Sequence, residues 1–181
     1  LLAQRDGAVL RATRDGGVWI GQACLLDEAW AAGSAQPSSG ELTVPRFKLP
    51  TTMAFPALCA VLPERAVALE RDRAEWAELH YTESGPPGAR VGSLSFDFYN
   101  GAMSSRQCKA LLTALQEIRH KPLKVLLLLG GQDFFSNGIH LHCIEAAAYG
   151  LGEDGAGSAA DASWNNINAM NDVAHALITM T

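Results

Sequence analysis

The stretch GGQDFFSNGIHL, residues 130–141, decides the fold. Directly before it stands VLLLL, residues 125–129, an apolar run between a lysine and a glycine. Such a run is typical of a strand that is buried on both faces, as in a parallel sheet. Residues 139–148 are apolar and alanine-rich, which predicts a helix. We therefore expect this stretch to contain the loop that joins a buried strand to a helix.

A capped helix and a hairpin are predicted before that strand. Ser104, followed by Gln107, has the capping-box pattern. Apolar residues then recur on one helical stripe: Cys108, Leu111, Leu112, Leu115 and Ile118. Further upstream, apolar and polar residues alternate on both sides of a GPPG turn at 85–88, which predicts a hairpin. Strand, helix and strand in this order form a βαβ unit with a right-handed crossover.

The first half of the chain predicts a hairpin and a linker. Residues 9–13 and 18–25 are rich in strand formers and flank the turn RDGG at 14–17. Residues 31–40 are a loop of small residues. Residues 61–78 are densely charged and include a proline suited to a first helical turn, which predicts a solvated linker helix.

The C-terminal part predicts a flexible insertion at 150–157, followed by an amphipathic helix. Its apolar stripe is expected to consist of Trp164, Ile167, Met170, Ala174, Leu177 and Ile178. The chain begins without a methionine and stops within this helix. We therefore expect it to be a piece of a longer protein.

Composition excludes several classes of protein. The 181 residues are 48% hydrophobic and 18% charged, which is typical of a globular chain and not of a disordered one. The net charge of −5, without a block of basic residues, disfavours nucleic acid and anionic membranes as partners. Four widely spaced cysteines without a CxxC motif fit a reducing cytoplasm.

The loop at 130–138 is the strongest candidate for chemistry. Ligands of open α/β sheets bind at the carboxyl ends of strands, and a helix start offers free N–H groups. A carbonyl oxygen that gains negative charge could be held there without a charged side chain. Gly138 would let the backbone turn closely around a ligand. The alternative is a plain strand-to-helix turn that needs Gly138 only for its dihedral angles.

Other polar residues have weaker signals. Asp133 is either a catalytic carboxylate or an ordinary turn residue, and Tyr99 with Asn100 either faces the same crevice or forms a turn. Ser104 and Ser136 have no evident His–Asp pair, and Ser104 is better explained as a helix cap. His140, His142 and Cys143 are too few for a zinc site, and residues two apart on a helix diverge. No metal is predicted, and His140 is expected at a partly exposed helix start.

Residues 100–104, the following helix, the apolar strand and FSNGIHL at 135–141 together resemble the opening half of the crotonase (enoyl-CoA hydratase/isomerase) fold. The family signature there is roughly FSAGxDL. This sequence departs from it at Asn137, which replaces a small residue, and at His140, which replaces an acid.

With these departures, the sequence resembles one branch of the family, the HypX/HoxX-type [NiFe]-hydrogenase maturation factors. These proteins join a formyltransferase-like module to a crotonase-like module. The strings that carry the resemblance lie within residues 75–181: FDFYNGAMS at 96–104, the stretch at 130–141, IEAAA at 144–148 and SWNNINAMND at 163–172. Residues 6–9, 17–21 and 47–50 more weakly resemble the β-rich subdomain that closes the formyltransferase module.

The resemblance implies an α/β fold, the first half of a crotonase-like (ββαβα) fold preceded by a small β-rich subdomain and a linker helix. The implied boundaries are 1–60 for the end of the formyltransferase-like module, 61–78 for the linker and 79–181 for the truncated crotonase-like half.

The resemblance further implies an enzyme that takes a formyl group from 10-formyl-tetrahydrofolate by way of formyl-CoA. It would release carbon monoxide for the [NiFe]-hydrogenase active site. Coenzyme A would be the cofactor in this part, and the folate would bind in the missing N-terminal part. The partners would be a small-molecule thioester and other hydrogenase maturation proteins.

Site residues carry over by position. The N–H of Ile139, placed by Gly138, would be an oxyanion donor, and Asn137 and His140 would line the thioester end. The CoA channel would be bordered by Phe98, Tyr99, Asn100, Ala102 and Met103. The family's second donor comes from a later glycine-rich turn, so we expect this fragment alone to be inactive.

Two alternatives stay open. One is an ordinary crotonase-fold acyl-CoA hydratase or isomerase, against which the missing acid at position 140 argues. The other is a non-catalytic CoA-binding domain that scaffolds hydrogenase maturation.

Overall fold

The computed structural model describes residues 1–24, 46–71 and 75–180. The chain begins with a three-stranded antiparallel sheet of β1 (Ala3–Arg5), β2 (Ala8–Ala12) and β3 (Gly17–Ile20). Ala12 is opposite Gly17, so the predicted hairpin around the RDGG turn is confirmed. The predicted loop at 31–40 lies outside the described residues.

A second, two-stranded sheet follows, formed by β4 (Gln22–Ala23) and β5 (Leu49–Pro50). The short helices α1 (Thr51–Ala54) and α2 (Pro56–Cys59) come directly after β5. Prolines keep these pieces short because each removes a backbone donor.

The prediction of a linker helix at 61–78 is wrong for the residues that the structure describes in that range. Residues 61–71 and 75–78 are extended or bent, without a helix. Gln4 in β1 pairs with Glu64, and Tyr81 pairs with Glu70. The segment thus completes the edges of two sheets, and this pairing overrides the helical propensity of its charged residues.

The second half contains the expected βαβ unit. Strands β6 (Leu79–Ser84) and β7 (Val91–Phe96) form an antiparallel hairpin, and β8 (Val125–Leu129) pairs with β7 in parallel. Helix α3 (Ser105–Ile118) makes the crossover. Ser104 caps it with a complete capping box, as predicted.

The main core lies between this sheet, α3 and the last helix, α5 (Ala159–Ile178). Strand β8 contributes only one face to it, through Leu126 and Leu128. The prediction that this strand is buried on both faces is wrong here. Val125, Leu127 and Leu129 are 44–47% exposed, because nothing in the described part of the chain covers the other face of the sheet.

The last helix buries the predicted stripe only in part, since Met170 and Leu177 pack against the main core. Its buried residues are Ala162, Asn166, Ala169 and Val173, whereas Trp164 is 68% exposed and Ile178 is 82% exposed. Small side chains allow α5 to approach its neighbours closely. A short helix, α4 (Leu141–Ala146), and 3-10 turns at Ala147–Tyr149 and Glu153–Gly155 precede it.

The insertion at 150–157 has structure of its own. Glu153 begins one of the 3-10 turns and accepts a hydrogen bond of 3.1 Å from the N–H of Arg106. Across the described ranges, no helix is both long and apolar enough to cross a bilayer.

Candidate functional site

Two loops meet at the carboxyl edge of the sheet formed by β6, β7 and β8. One follows β7 and the other follows β8, and parallel strands place the residues after their ends side by side. The loops are joined by a bridge between Met103 and Ile139. The N–H of Met103 donates to the carbonyl of Gly138 at 2.9 Å, and the N–H of His140 donates to the carbonyl of Met103 at 3.1 Å. The N–H of Asn137 reinforces the junction with a 2.7 Å bond to the carbonyl of Gly101.

The N–H of Ile139 is left available by this pattern. In a parallel bridge, the residue between the two bonded groups directs its own N–H and C=O to the opposite side. No hydrogen bond from the N–H of Ile139 is formed within the described ranges. The bridge therefore holds a free donor in a fixed direction at the loop end.

Glycines shape both loops, in different ways. Gly101 has φ +65°, and a Cβ there would lie 2.6 Å from the Cβ of Phe134. Gly138 has φ +80°, but a Cβ there would meet nothing within 4 Å. Gly101 is thus required by both its conformation and its close packing, whereas Gly138 borders open space.

The predicted channel residues separate into two groups. Phe98 and Met103 are 3% and 7% exposed, and their side chains belong to the core. Asn100 and Asn137 are exposed, and Tyr99 is half-buried. Ala102, Gly138 and Ile139 are also half-buried. Among these residues, only the exposed and half-buried ones offer surface to a ligand: Tyr99, Asn100, Ala102, Asn137, Gly138 and Ile139.

Asn100 takes the left-handed conformation at φ 54°, which asparagine tolerates better than most residues. It lies in the 3-10 turn Tyr99–Gly101, closed by a 2.8 Å bond from the N–H of Gly101 to the carbonyl of Phe98. The turn prediction for Tyr99 and Asn100 is confirmed, and the turn lies beside the second loop.

His140 is buried, so the prediction of a partly exposed side chain is wrong. It is 4% exposed, and its Nδ1 accepts a 3.3 Å hydrogen bond from the N–H of Cys143 as the N-cap of α4. Burial, together with the smaller effects of His142 and Arg106, lowers its pKa to about 4. The ring is therefore neutral at pH 7, and its hydrogen bond to the N–H of Cys143 fixes the end of the loop at the start of α4.

Asn166 supports the same junction and was missed by the sequence reasoning. Its Nδ2 donates a 3.0 Å hydrogen bond to the carbonyl of Met103, which also accepts from the N–H of His140. Asn166 is 2% exposed. An asparagine among alanines on a helix face was the only available signal, and it does not specify a partner.

A cation lies beside the turn. Lys48 donates a 3.0 Å hydrogen bond to the hydroxyl of Tyr99, and its ammonium lies 5.2 Å from the centre of that ring. The bond to Tyr99 raises the pKa of Lys48. The sequence gives no signal that pairs these residues, because Lys48 directly precedes β5 and Tyr99 follows β7.

A buried ionic network fastens the start of α3. The guanidinium of Arg106 donates to Glu78 at 2.9 Å, and the amide of Gln107 donates to the same carboxylate at 2.7 Å. The backbone N–H of Glu78 donates to Asp6, in the turn between β1 and β2, at 3.1 Å. Burial raises the pKa of Glu78, and Arg106 and Gln107 oppose that rise. The network connects the first sheet to the site-bearing unit.

The remaining candidates lie in the second loop or in the interior. Asp133 and Ser136 are exposed, and the hydroxyl of Ser136 accepts from the N–H of Gly138 at 3.3 Å. Cys143 is buried, and burial raises its pKa. In the ranges that the structure describes, no three His, Cys, Asp or Glu residues are grouped as a metal site would need.

Comparison with known proteins gives close relatives, although no protein-family model matches the chain. The hydrogenase maturation factor HoxX of Bradyrhizobium diazoefficiens is 42% identical over all 181 residues. A crystal structure of a HypX variant from Aquifex aeolicus matches 99% of the chain with a TM-score of 0.76 and 33% identity. The HypX of the same organism in complex with tetrahydrofolic acid matches 98% with a TM-score of 0.75 and 34% identity.

The resemblance to HypX/HoxX-type hydrogenase maturation factors is therefore confirmed along the whole chain. The chain spans about a quarter of the length of these relatives, namely 26% of HoxX and 27% of each HypX chain. Its mixed α/β architecture is similar to that part of HypX.

Proposed function

We propose that this chain is the part of a hydrogenase maturation enzyme that binds the acyl end of a CoA thioester. The single observation that carries the proposal is the free N–H of Ile139, held in place by the bridge to Met103. A thioester carbonyl gains negative charge on oxygen during acyl chemistry. One preorganised donor at that oxygen contributes about 3–4 kcal/mol to transition-state stabilisation.

The surroundings of Ile139 fit a thioester. The space beside Gly138 is open, so a ligand can approach the neighbouring N–H closely. Asn137 and Asn100 are exposed on the two sides of the junction and can donate to carbonyl groups of a pantetheine arm. His140 supports the loop as a neutral, buried cap.

Lys48 supports the identification of the ligand as CoA. It places a positive charge against Tyr99, at the outer end of the same turn. A lysine is a common partner of phosphate groups, and CoA carries several of them. The buried side chains of Phe98 and Met103 hold the turn in place instead of touching the ligand.

The full reaction follows from the family. The parent protein would take a formyl group from 10-formyl-tetrahydrofolate, form formyl-CoA and release carbon monoxide for the iron of the [NiFe] site. Tetrahydrofolate bound to a HypX supports the folate step. Residues 79–181 would be the opening half of a crotonase-like domain in the cytoplasm, with its second oxyanion donor supplied by another part of the protein.

Calorimetry on the full-length protein tests this proposal, with CoA and formyl-CoA as ligands and Gly138→Val as the variant. We expect formyl-CoA to lose about tenfold in affinity, equal to about 1.4 kcal/mol, and CoA to lose less. The side chain at 138 would intrude on the thioester and disturb the adjacent N–H.

Gly150→Val is the matched control, because Gly150 also has a positive φ (+77°) and open space around its Cβ, away from the junction. It should leave both affinities unchanged. Equal binding of formyl-CoA by the parent and by Gly138→Val would overturn the proposal. Binding without carbon monoxide release from formyl-CoA would favour the scaffold alternative.

A further inference from the structure

A small cavity lies between α5 and the start of α4. His140 and Asn166 both line it, together with Ser104 and Glu153. Its volume of about 10 Å³ is close to the smallest that admits one water molecule. It is separate from the open space beside Gly138.

Two polar atoms in the residues that line this cavity have no partner within the described ranges. They are Nε2 of His140 and Oδ1 of Asn166, in side chains that are 4% and 2% exposed. The other polar atom of each side chain is engaged, Nδ1 with the N–H of Cys143 and Nδ2 with the carbonyl of Met103.

These engagements fix the chemistry of the two unpartnered atoms. Because Nδ1 of His140 accepts a hydrogen bond, the neutral ring carries its proton on Nε2, which is then a donor. Because Nδ2 of Asn166 donates to a carbonyl, Oδ1 is the oxygen and can only accept. The two unpartnered atoms in the lining residues are therefore one donor and one acceptor, and they do not bond to each other directly.

We propose that this cavity is a binding site for one water molecule, which accepts from Nε2–H of His140 and donates to Oδ1 of Asn166. Buried polar groups almost always have a partner, which is often an ordered water. A water molecule can act as both acceptor and donor, and the cavity has room for one. It would connect helix α5 to the segment that carries Ile139, whatever ligand that segment binds.

A high-resolution crystal structure of the full-length protein is the direct test. We expect one ordered water within hydrogen-bond distance of both atoms. An empty cavity overturns the proposal, and so does a direct bond between the imidazole and the amide.

A double-mutant cycle provides a second, independent test. His140→Phe and Asn166→Leu each remove one partner of the water and should each lower the urea midpoint of unfolding. Because both lose the same water, the double variant should lose clearly less than the two single losses combined.

Asn165→Leu is the control, since Asn165 is the exposed neighbour on the same helix. Its effect should add to that of His140→Phe. Additive effects for the His140 and Asn166 pair would overturn the proposal. If a variant does not fold, the crystal structure of the parent still decides.

Discussion

Gly101 packs so closely against Phe134 that a Cβ on the glycine would lie 2.6 Å from the Cβ of the phenylalanine. The two residues belong to the loops that follow β7 and β8. Their contact, with the 2.7 Å bond from the N–H of Asn137 to the carbonyl of Gly101, holds the second loop against the first. The direction of the Ile139 N–H depends on this contact.

The contact predicts that Gly101→Ala costs much more stability than Gly138→Ala. Both glycines have positive φ, which costs an alanine about 1–2 kcal/mol. Only Gly101 adds a steric clash, so we expect its variant to lose about 3 kcal/mol or more. Urea denaturation of both variants measures the difference, and equal losses would contradict the close packing described here.

Stability should fall in mild acid because of His140. Its pKa is lowered from 6.5 to about 4 in the folded state, so the unfolded chain binds the proton more readily. The stabilisation is present above pH 6.5 and is lost as the pH falls towards 4. The loss from this group is at most about 3 kcal/mol.

Urea unfolding at a series of pH values, for the parent and His140→Asn, isolates this contribution. Asparagine is a good N-cap and does not titrate, so the variant keeps the capping function. The difference in unfolding free energy between parent and variant should shrink between pH 6.5 and 4. A difference independent of pH would mean that burial does not perturb the imidazole.

The ion pair between Arg106 and Glu78 should matter more than the exposed pairs. Glu78 is 10% exposed, and Arg106→Met would leave its carboxylate with Gln107 as the remaining side-chain donor. We expect a loss of about 3 kcal/mol in unfolding free energy. In the exposed pair of Lys121 with Glu70, the carboxylate is 57% exposed, and Glu70→Gln should cost less than about 1 kcal/mol. Chemical denaturation measures both losses, and equal losses of unfolding free energy for Arg106→Met and Glu70→Gln would argue against a buried network.

The two helix caps allow a fourth comparison. Ser104 is 1% exposed and accepts from the N–H of Gln107, whereas Ser158 caps α5 with an exposed hydrogen bond to the N–H of Asp161. Losing a serine cap costs about 1 kcal/mol. Ser104→Ala should cost more than Ser158→Ala, because water cannot replace the lost acceptor at a buried N–H. Thermal or urea unfolding checks the order, and the reverse order would contradict it.

Local sequence signals predicted the elements around the site. The capping box at Ser104 and Gln107 needs only residues three apart, and the RDGG and GPPG turns are similarly local. The apolar run at Val125–Leu129 and the glycine-containing loop after it placed the candidate site at the carboxyl end of a parallel strand pair. These patterns depend on neighbours in the chain, and therefore they can be recognised without a structure.

Only the tertiary structure decided which side chains of the candidate site are exposed and which are buried. Periodicity assigned Trp164 to the buried face of the last helix, but α5 turns Asn166 inward to reach the carbonyl of Met103. His140 is the buried N-cap of α4, and residues 61–71 pair with β1 and β6 at the edges of two sheets. Each outcome depends on a partner distant in sequence. The sequence by itself determined the elements around the candidate site and the loop that carries Ile139. Long-range pairing determined the direction of the Ile139 N–H, because a hydrogen bond satisfied across the fold outweighs a local propensity.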